Sequence, residues 1–196
     1  MDSISHARGG RPRNADTTPA ILDAALELWM EHGYNAVTID AIASRAGVSK
    51  PTVYRRWSGR QAVMVAAMER FVQPREVPDL GSFRAEVLAF LRDRAEIYKS
   101  AGVRRIMAGS VAASNEDADF HRDVQPFIDR FPAGMRRIIQ RGIARGEVRP
   151  DIDIDLLTAM INGGFYYRSI IEQKGLDEQA VAFVTDVVLA GVTPIR

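Results

Sequence analysis

The chain contains no cysteine, which excludes a disulfide framework, a thiolate metal or iron–sulfur site and a thiol nucleophile together. Histidine is nearly as scarce. His6, His32 and His121 are the whole set, and the third, flanked by Asp119 and Asp123, reads as part of a surface charge cluster rather than a metal site. Long apolar runs are missing too: the longest, Ala62 to Met68, falls far short of the roughly 18 residues a bilayer-spanning helix needs. Residues 1–20 hold no apolar signal segment, so no membrane partner and a cytoplasmic location are expected. There is no glycine-rich phosphate loop and no nucleophile elbow. Asp151, Asp153 and Asp155 open like a calcium loop, but Leu156 occupies the sixth position and Asn162 the twelfth. No enzyme chemistry, metal or cofactor is therefore expected. Charge of one sign is not in excess, with 26 Lys and Arg against 25 Asp and Glu. A nucleic-acid partner has to be sought in local clusters instead.

What remains is 196 residues of ordinary globular make-up, 46% apolar and 26% charged, enough for one sizeable domain or two small ones. The first cluster of charge is at the start. Residues 1–16 set His6, Arg8, Arg11 and Arg13 among Gly9, Gly10 and Pro12, with little that could pack. They read as a flexible basic arm, either solvated or laid along phosphates or a minor groove.

From there the pattern is all-α. Thr18 before Pro19 marks a helix start, and Ile21, Leu22, Ala25, Leu26, Leu28 and Trp29 recur at helical spacing until Gly33. Thr38 caps a second short helix with Ile39, Ile42, Ala43 and Ala46 inward, stopped by Gly47. Ser49 opens a third, expected through Trp57, and a fourth follows Ser58 to Val72. The break at Pro74 to Pro78 divides residues 17–73 from a second helical unit, 79–196.

Two short helices meeting at a sharp turn need a small residue at closest approach, here Ala43, and one free to take positive φ, here Gly47. Ile42, Val48 and Val53 then wedge the pair onto the first helix. This is the helix-turn-helix spacing that reads DNA. A structural corner would not need the outward face, where Lys50, Thr52, Tyr54, Arg55 and Arg56 gather donors with no acid among them.

The stretch Ile21 to Phe71 resembles the N-terminal DNA-binding domain of the TetR family of bacterial transcriptional regulators. The features that carry the resemblance are Gly33-Tyr34, Val37-Thr38-Ile39, Ala43 to Gly47, Val48-Ser49, Val53-Tyr54 and Trp57 ahead of the basic Arg60. Arg60 stands where the family often has Lys, and Pro51 where Gly or Ala is common. The resemblance implies that Thr38, Ser49, Lys50, Tyr54 and Arg60 hold phosphates. It implies base contacts for Lys50, Pro51, Thr52 and Arg55, while Trp57 packs in the core. It further implies a ligand-responsive homodimer, most simply a repressor released from a palindromic double-stranded operator by an unknown small molecule. The alternative is a helical ligand-binding or structural protein with a vestigial helix-turn-helix.

In the second unit, helices are expected from Phe83 to Tyr98, Val103 to Ala113, Asp119 to Gly142 with kinks or a split at Pro126 and Pro132, Ile154 to Ile171, and after Gly175 to the end. Ala159, Gly163, Gly164, Ala180 and Ala190 suit either internal packing or a dimer through the last two helices. Phe90, Met107, Phe127, Phe131, Met135, Asn162, Phe165 and Tyr166 are the candidate walls of a ligand pocket.

Overall fold

The computed structural model describes residues 17–71 and 77–194, so the basic arm and most of the expected 74–78 break lie outside the described residues. Among the described residues there are ten α-helices and no strand. They are α1 (Thr18–His32), α2 (Ile39–Arg45), α3 (Lys50–Tyr54), α4 (Arg60–Phe71), α5 (Phe83–Lys99), α6 (Ala101–Glu116), α7 (Ala118–Ile128), α8 (Arg130–Ala144), α9 (Ile154–Tyr166) and α10 (Glu178–Val192). A 3₁₀ turn, Tyr34–Ala36, precedes α2, and a π-helical turn, Tyr167–Ile171, extends α9.

Local chemistry sets most of these ends. Side chains of Thr38, Ser82, Ser100, Asp117, Asp153 and Asp177 accept amide hydrogen bonds at the starts of α2, α5, α6, α7, α9 and α10. Two expected helix boundaries are corrected, and one expected split is located. Thr18 lies inside α1, and the cap position falls to Thr17, whose hydroxyl accepts from Arg56 at 2.9 Å. α3 stops at Tyr54 rather than Trp57, because the amides of Arg56 and Trp57 both converge on the Val53 carbonyl. The expected Asp119–Gly142 helix divides at Asp129, between Pro126 and Pro132, so that Pro132 falls in the first turn of α8, where its missing amide costs nothing.

Two hydrophobic cores result. One joins Ile21, Trp29, Ile42, Val53, Val63 and Met64 to Ile106 and Ala113 of α6 and Phe120 and Val124 of α7. The other is built from α5, α8, α9 and α10 around Phe83, Leu91, Met135, Ile138, Phe165 and Val181. The helices carrying the helix-turn-helix thus share a core with α6 and α7. α6 approaches α1 closely because it has glycine at the contact: a Cβ at Gly102 would meet Met30 Cβ at 2.8 Å, and one at Gly109 would meet Trp29 Nε1 at 2.8 Å. Arg105 seals the joint by donating to the carbonyls of Met30 and Glu31, each at 2.5 Å, at the end of α1.

The segment entering α5 is held by charge. Glu86 is fully buried and ion-paired with Arg141 at 2.7 Å and Arg145 at 3.1 Å. Those arginines also reach the Val77 and Pro78 carbonyls and Asp79. Replacing Glu86 with Ala leaves two guanidinium groups facing each other, and a loss of about 1.5–3 kcal/mol in urea-unfolding stability is expected. Gly109→Ala is expected to cost about 1–3 kcal/mol by overpacking, outweighing the better helix propensity of Ala.

Candidate functional site

The Val37–Ser49 segment places one exposed surface. Thr38 Oγ1 accepts from the Ala41 amide at 3.1 Å, fixing the start of α2. Gly47, at φ +66°, turns the chain, and the Val48 amide closes back on the Ala43 carbonyl at 3.0 Å. Ile42, Ala43 and Val53 are buried, with Val48 and Trp57 half-buried against the same core. α3 is oriented by that packing. Ser49, Lys50, Pro51, Tyr54 and Arg55 are exposed around its start and outer side, with Thr52 half-buried among them. The hydroxyls of Ser49 and Thr52 share a hydrogen bond of 2.9 Å, which braces the first turn.

The cations here divide by what they touch. Arg55 is exposed, and its side chain makes no hydrogen bond or ion pair to any described residue. Lys50 pairs with Asp40 at 2.6 Å, but both side chains are more than half exposed, so the pair is weak and exchangeable. Arg56 reaches back to Thr17, and Arg45 ties α2 to Glu31 of α1 at 2.7 Å. Arg60 differs most from expectation. Its guanidinium donates to the Val37 carbonyl at 2.5 Å and to the Tyr34 carbonyl, and lies 4.1 Å from the Tyr34 ring centre. These contacts hold the turn that positions Thr38, a structural role that the sequence did not announce beside the one expected at a phosphate.

A second feature is a cavity of about 300 Å³ between α5, α6, α8 and α9. Met107, Phe131, Asn162 and Tyr166, four of the expected wall residues, line it together with Tyr98, Arg94, Arg136 and Thr158. The other four do not. Phe90, Met135 and Phe165 are buried in the second core, and Phe127 packs against the first. Thr158 went unnoticed in the sequence although it lies one helical turn before Asn162, whose amide donates to its carbonyl at 2.8 Å. Arg136, paired with Asp155 at 2.7 Å, and Arg94, stacked 4.9 Å from the Phe90 ring centre, left no periodic signal at all.

The aspartates considered for metal have other work. Asp153 caps α9, Asp155 pairs with Arg136, and Asp119 and Asp123 flank Arg122 at 2.9 and 3.5 Å. Among the described residues no group of three or more His, Asp or Glu is placed to hold a metal ion, and no helix is long and apolar enough to cross a membrane.

Residues 21–67 match the family model of bacterial regulatory proteins of the tetR family, and residues 77–188 match that of the tetracyclin repressor-like C-terminal domain. The chain belongs to the TetR family of bacterial transcriptional regulators. Over 186 residues it is 32% identical to the uncharacterized HTH-type transcriptional regulator YdeS of Bacillus subtilis, covering 93% of this chain and 91% of that one. The DNA-binding transcriptional repressor TetR of Mycobacteroides abscessus is 27% identical over 190 residues, covering 93% and 97%. Among solved structures, the TetR family transcription regulator SCO0332 superposes with a TM-score of 0.69 at 27% identity, covering 92% of this chain and all of that one. The TetR-family chain described here is therefore a helix-turn-helix DNA-binding regulator and not an enzyme.

In this TetR-family chain the two arginines separate cleanly by experiment. Arg60→Ala is expected to lower unfolding stability by about 1.5–3 kcal/mol in urea titration, through two lost charge-assisted bonds. Arg55→Ala, which removes no described contact, is expected to stay within about 0.5 kcal/mol of the parent.

Proposed function

We propose that the protein is a homodimeric repressor that holds a palindromic operator and is released when a small molecule enters the 300 Å³ cavity. In this reading residues 17–73 bind DNA and residues 79–196 sense and dimerise. The observation that carries it is the α3 surface itself: Ser49, Lys50, Pro51, Thr52, Tyr54 and Arg55 face outward on a helix pair locked from beneath by Val53. Thr38, Ser49, Lys50 and Tyr54 suit phosphates, which fix register. Arg55 suits a guanine edge, and the faces of Pro51 and Thr52 suit a thymine methyl.

Dimerisation is supported by an apolar face. Leu156 and Met160 of α9 and Phe183 and Val187 of α10 are each more than half exposed and border one groove. Gly164 on α9 has open space over it, as a close helix partner requires. A twofold pairing there would present two α3 helices to half-sites one or more turns of DNA apart, roughly 34 Å or a multiple.

Release is supported by the path from cavity to DNA. Met107 lines the cavity from α6, and the same helix carries Gly102, Arg105 and Gly109, which grip α1. A ligand that displaces α6 therefore acts on the DNA-binding core directly, and operator must weaken ligand to the same degree.

Selection of genomic fragments with the purified protein, followed by titration of the recovered DNA at several salt concentrations, tests the reading. A palindrome is expected, with affinity falling by about 0.9 logarithmic units per unit of log salt for each phosphate held. Recovery of no enriched sequence would overturn it. Arg55→Ala is expected to cost about 1–3 kcal/mol and relax preference at one position per half-site, whereas Lys50→Gln weakens all sequences and lowers the salt slope by about one. Phe183→Glu is expected to give monomers in sedimentation and to abolish palindrome binding. Repressor is distinguished from activator by the direction in which a reporter on the recovered promoter responds.

A further inference from the structure

A second cavity, of about 230 Å³, lies beside the first and shares Tyr98 with it as a common wall. Its chemistry is different. Lys99, Arg104 and Lys174 line it, and no carboxylate does. Arg104 is anchored by donating from one nitrogen to the carbonyls of Tyr98 and Lys99 at 2.6 and 2.8 Å. Lys99 and Lys174 pair from outside the cavity with Glu96 at 2.5 Å and Glu172 at 3.4 Å. Those pairs are exposed, so an incoming anion replaces them at little cost.

The opposite wall is built rather than incidental. Ser169 also lines this cavity, is 2% exposed, and its hydroxyl has no hydrogen-bond partner. It sits on the π-helical turn Tyr167–Ile171, a distortion often kept where a ligand is met. Gln173 next to it, at φ +53°, is the one non-glycine residue with positive φ among the described residues. The loop is held in that shape by the Lys174 amide on the Arg168 carbonyl at 2.9 Å and by Arg168 Nε on the Gly175 carbonyl at 3.2 Å.

On the other side of Tyr98 the larger cavity offers Met107, Phe131 and Pro132 as apolar walls, with the Thr158 hydroxyl buried and unpartnered. Burial raises the phenols of Tyr98 and Tyr166 above their ordinary value, so both stay neutral donors. An apolar cavity of about 150 Å³ holds one benzene ring, so the larger cavity admits a body of roughly twelve non-hydrogen atoms.

We propose that the two cavities form one site for an amphiphilic organic acid, its apolar body beside Phe131 and Met107 and its carboxylate among Lys99, Arg104, Lys174 and the Ser169 hydroxyl. The proposal rests on reading the larger cavity as the sensor chamber. It also says how the signal starts. The carboxylate bridges Arg104 on α6 to the π-turn, and the next residue, Arg105, holds the last carbonyls of α1.

The test is calorimetric titration of the full chain with ω-phenylalkanoic acids of four to eight carbons and with the matching alcohols. At the best-fitting length the acid is expected to bind at least about ten-fold more tightly than its alcohol. Lys99→Gln with Lys174→Gln, and separately Ser169→Ala, are expected to bring that ratio toward one while leaving the alcohol within about two-fold of its parent affinity. Ala159→Phe, which fills the larger cavity, is expected to abolish binding of both. Equal affinity of acid and alcohol at every length would overturn the acidic end and leave the sensor chamber standing. Acid binding that survives Ala159→Phe would overturn the single two-part site. Binding of neither series would overturn the proposal, while release of the operator by some other compound would still uphold the sensor reading.

Discussion

The close approach of α6 to α1 is the constraint on which the rest of this molecule depends. Glycine at 102 and 109 removes the side chains that would hold the helices apart, and Arg105 satisfies the carbonyls that α1 leaves open at its end. Trp29 then lies fully buried between the two helices, its ring tilted against Tyr34 with centres 5.1 Å apart, and Tyr34 meets Phe120 of α7 edge-on at 5.3 Å. The DNA-binding helices therefore do not hang from a linker. They share a core with α6, which also lines the 300 Å³ cavity.

That arrangement divides the arginines by purpose. Arg45, Arg56 and Arg60 bond to neighbouring elements and brace the helix-turn-helix, whereas the Arg55 side chain is exposed and bonds to no described residue. Rigidity matters because base contacts discriminate only when the side chains that make them are held in register. Arg60 shows the principle most clearly. Its two carbonyl contacts set the turn before Thr38, and hence the placement of the exposed surface that follows.

The two cavities sit at the other end of the same lever. α6 contributes Met107 to one and Arg104 to the other, and it meets α1 through Gly102, Arg105 and Gly109. Interior packing at this density leaves the side chains between the cavities and α1 few alternative arrangements. The buried Glu86 pair holds the segment from Val77 to Asp79 onto α5 and α8, so the second unit gives α6 a firm base to move against.

Much of this was legible before any coordinates. The all-helical class, the Gly47 turn, the Thr38 cap and the outward donors from Ser49 to Arg55 each follow from residues within one or two helical turns of one another, the range over which capping and periodicity act. The family resemblance followed from the same short stretch. What the sequence hid lies at long range. Arg60 reaches Tyr34 across 26 positions, Arg105 reaches Met30 across 75, and Glu86 meets Arg141 across 55. The split of α7 from α8 was foreshadowed by two prolines, yet which aromatic residues would line the cavity was not. Phe90, Phe131 and Phe165 have the same chemistry, and only the packing of α5, α8 and α9 buries two of them and leaves the third facing a void. Local order was thus written in the chain, because caps and periods are properties of neighbours. The cavity, the α6 joint and the contacts of Arg60 were decided by tertiary structure, because each needs surfaces that meet only when distant elements pack.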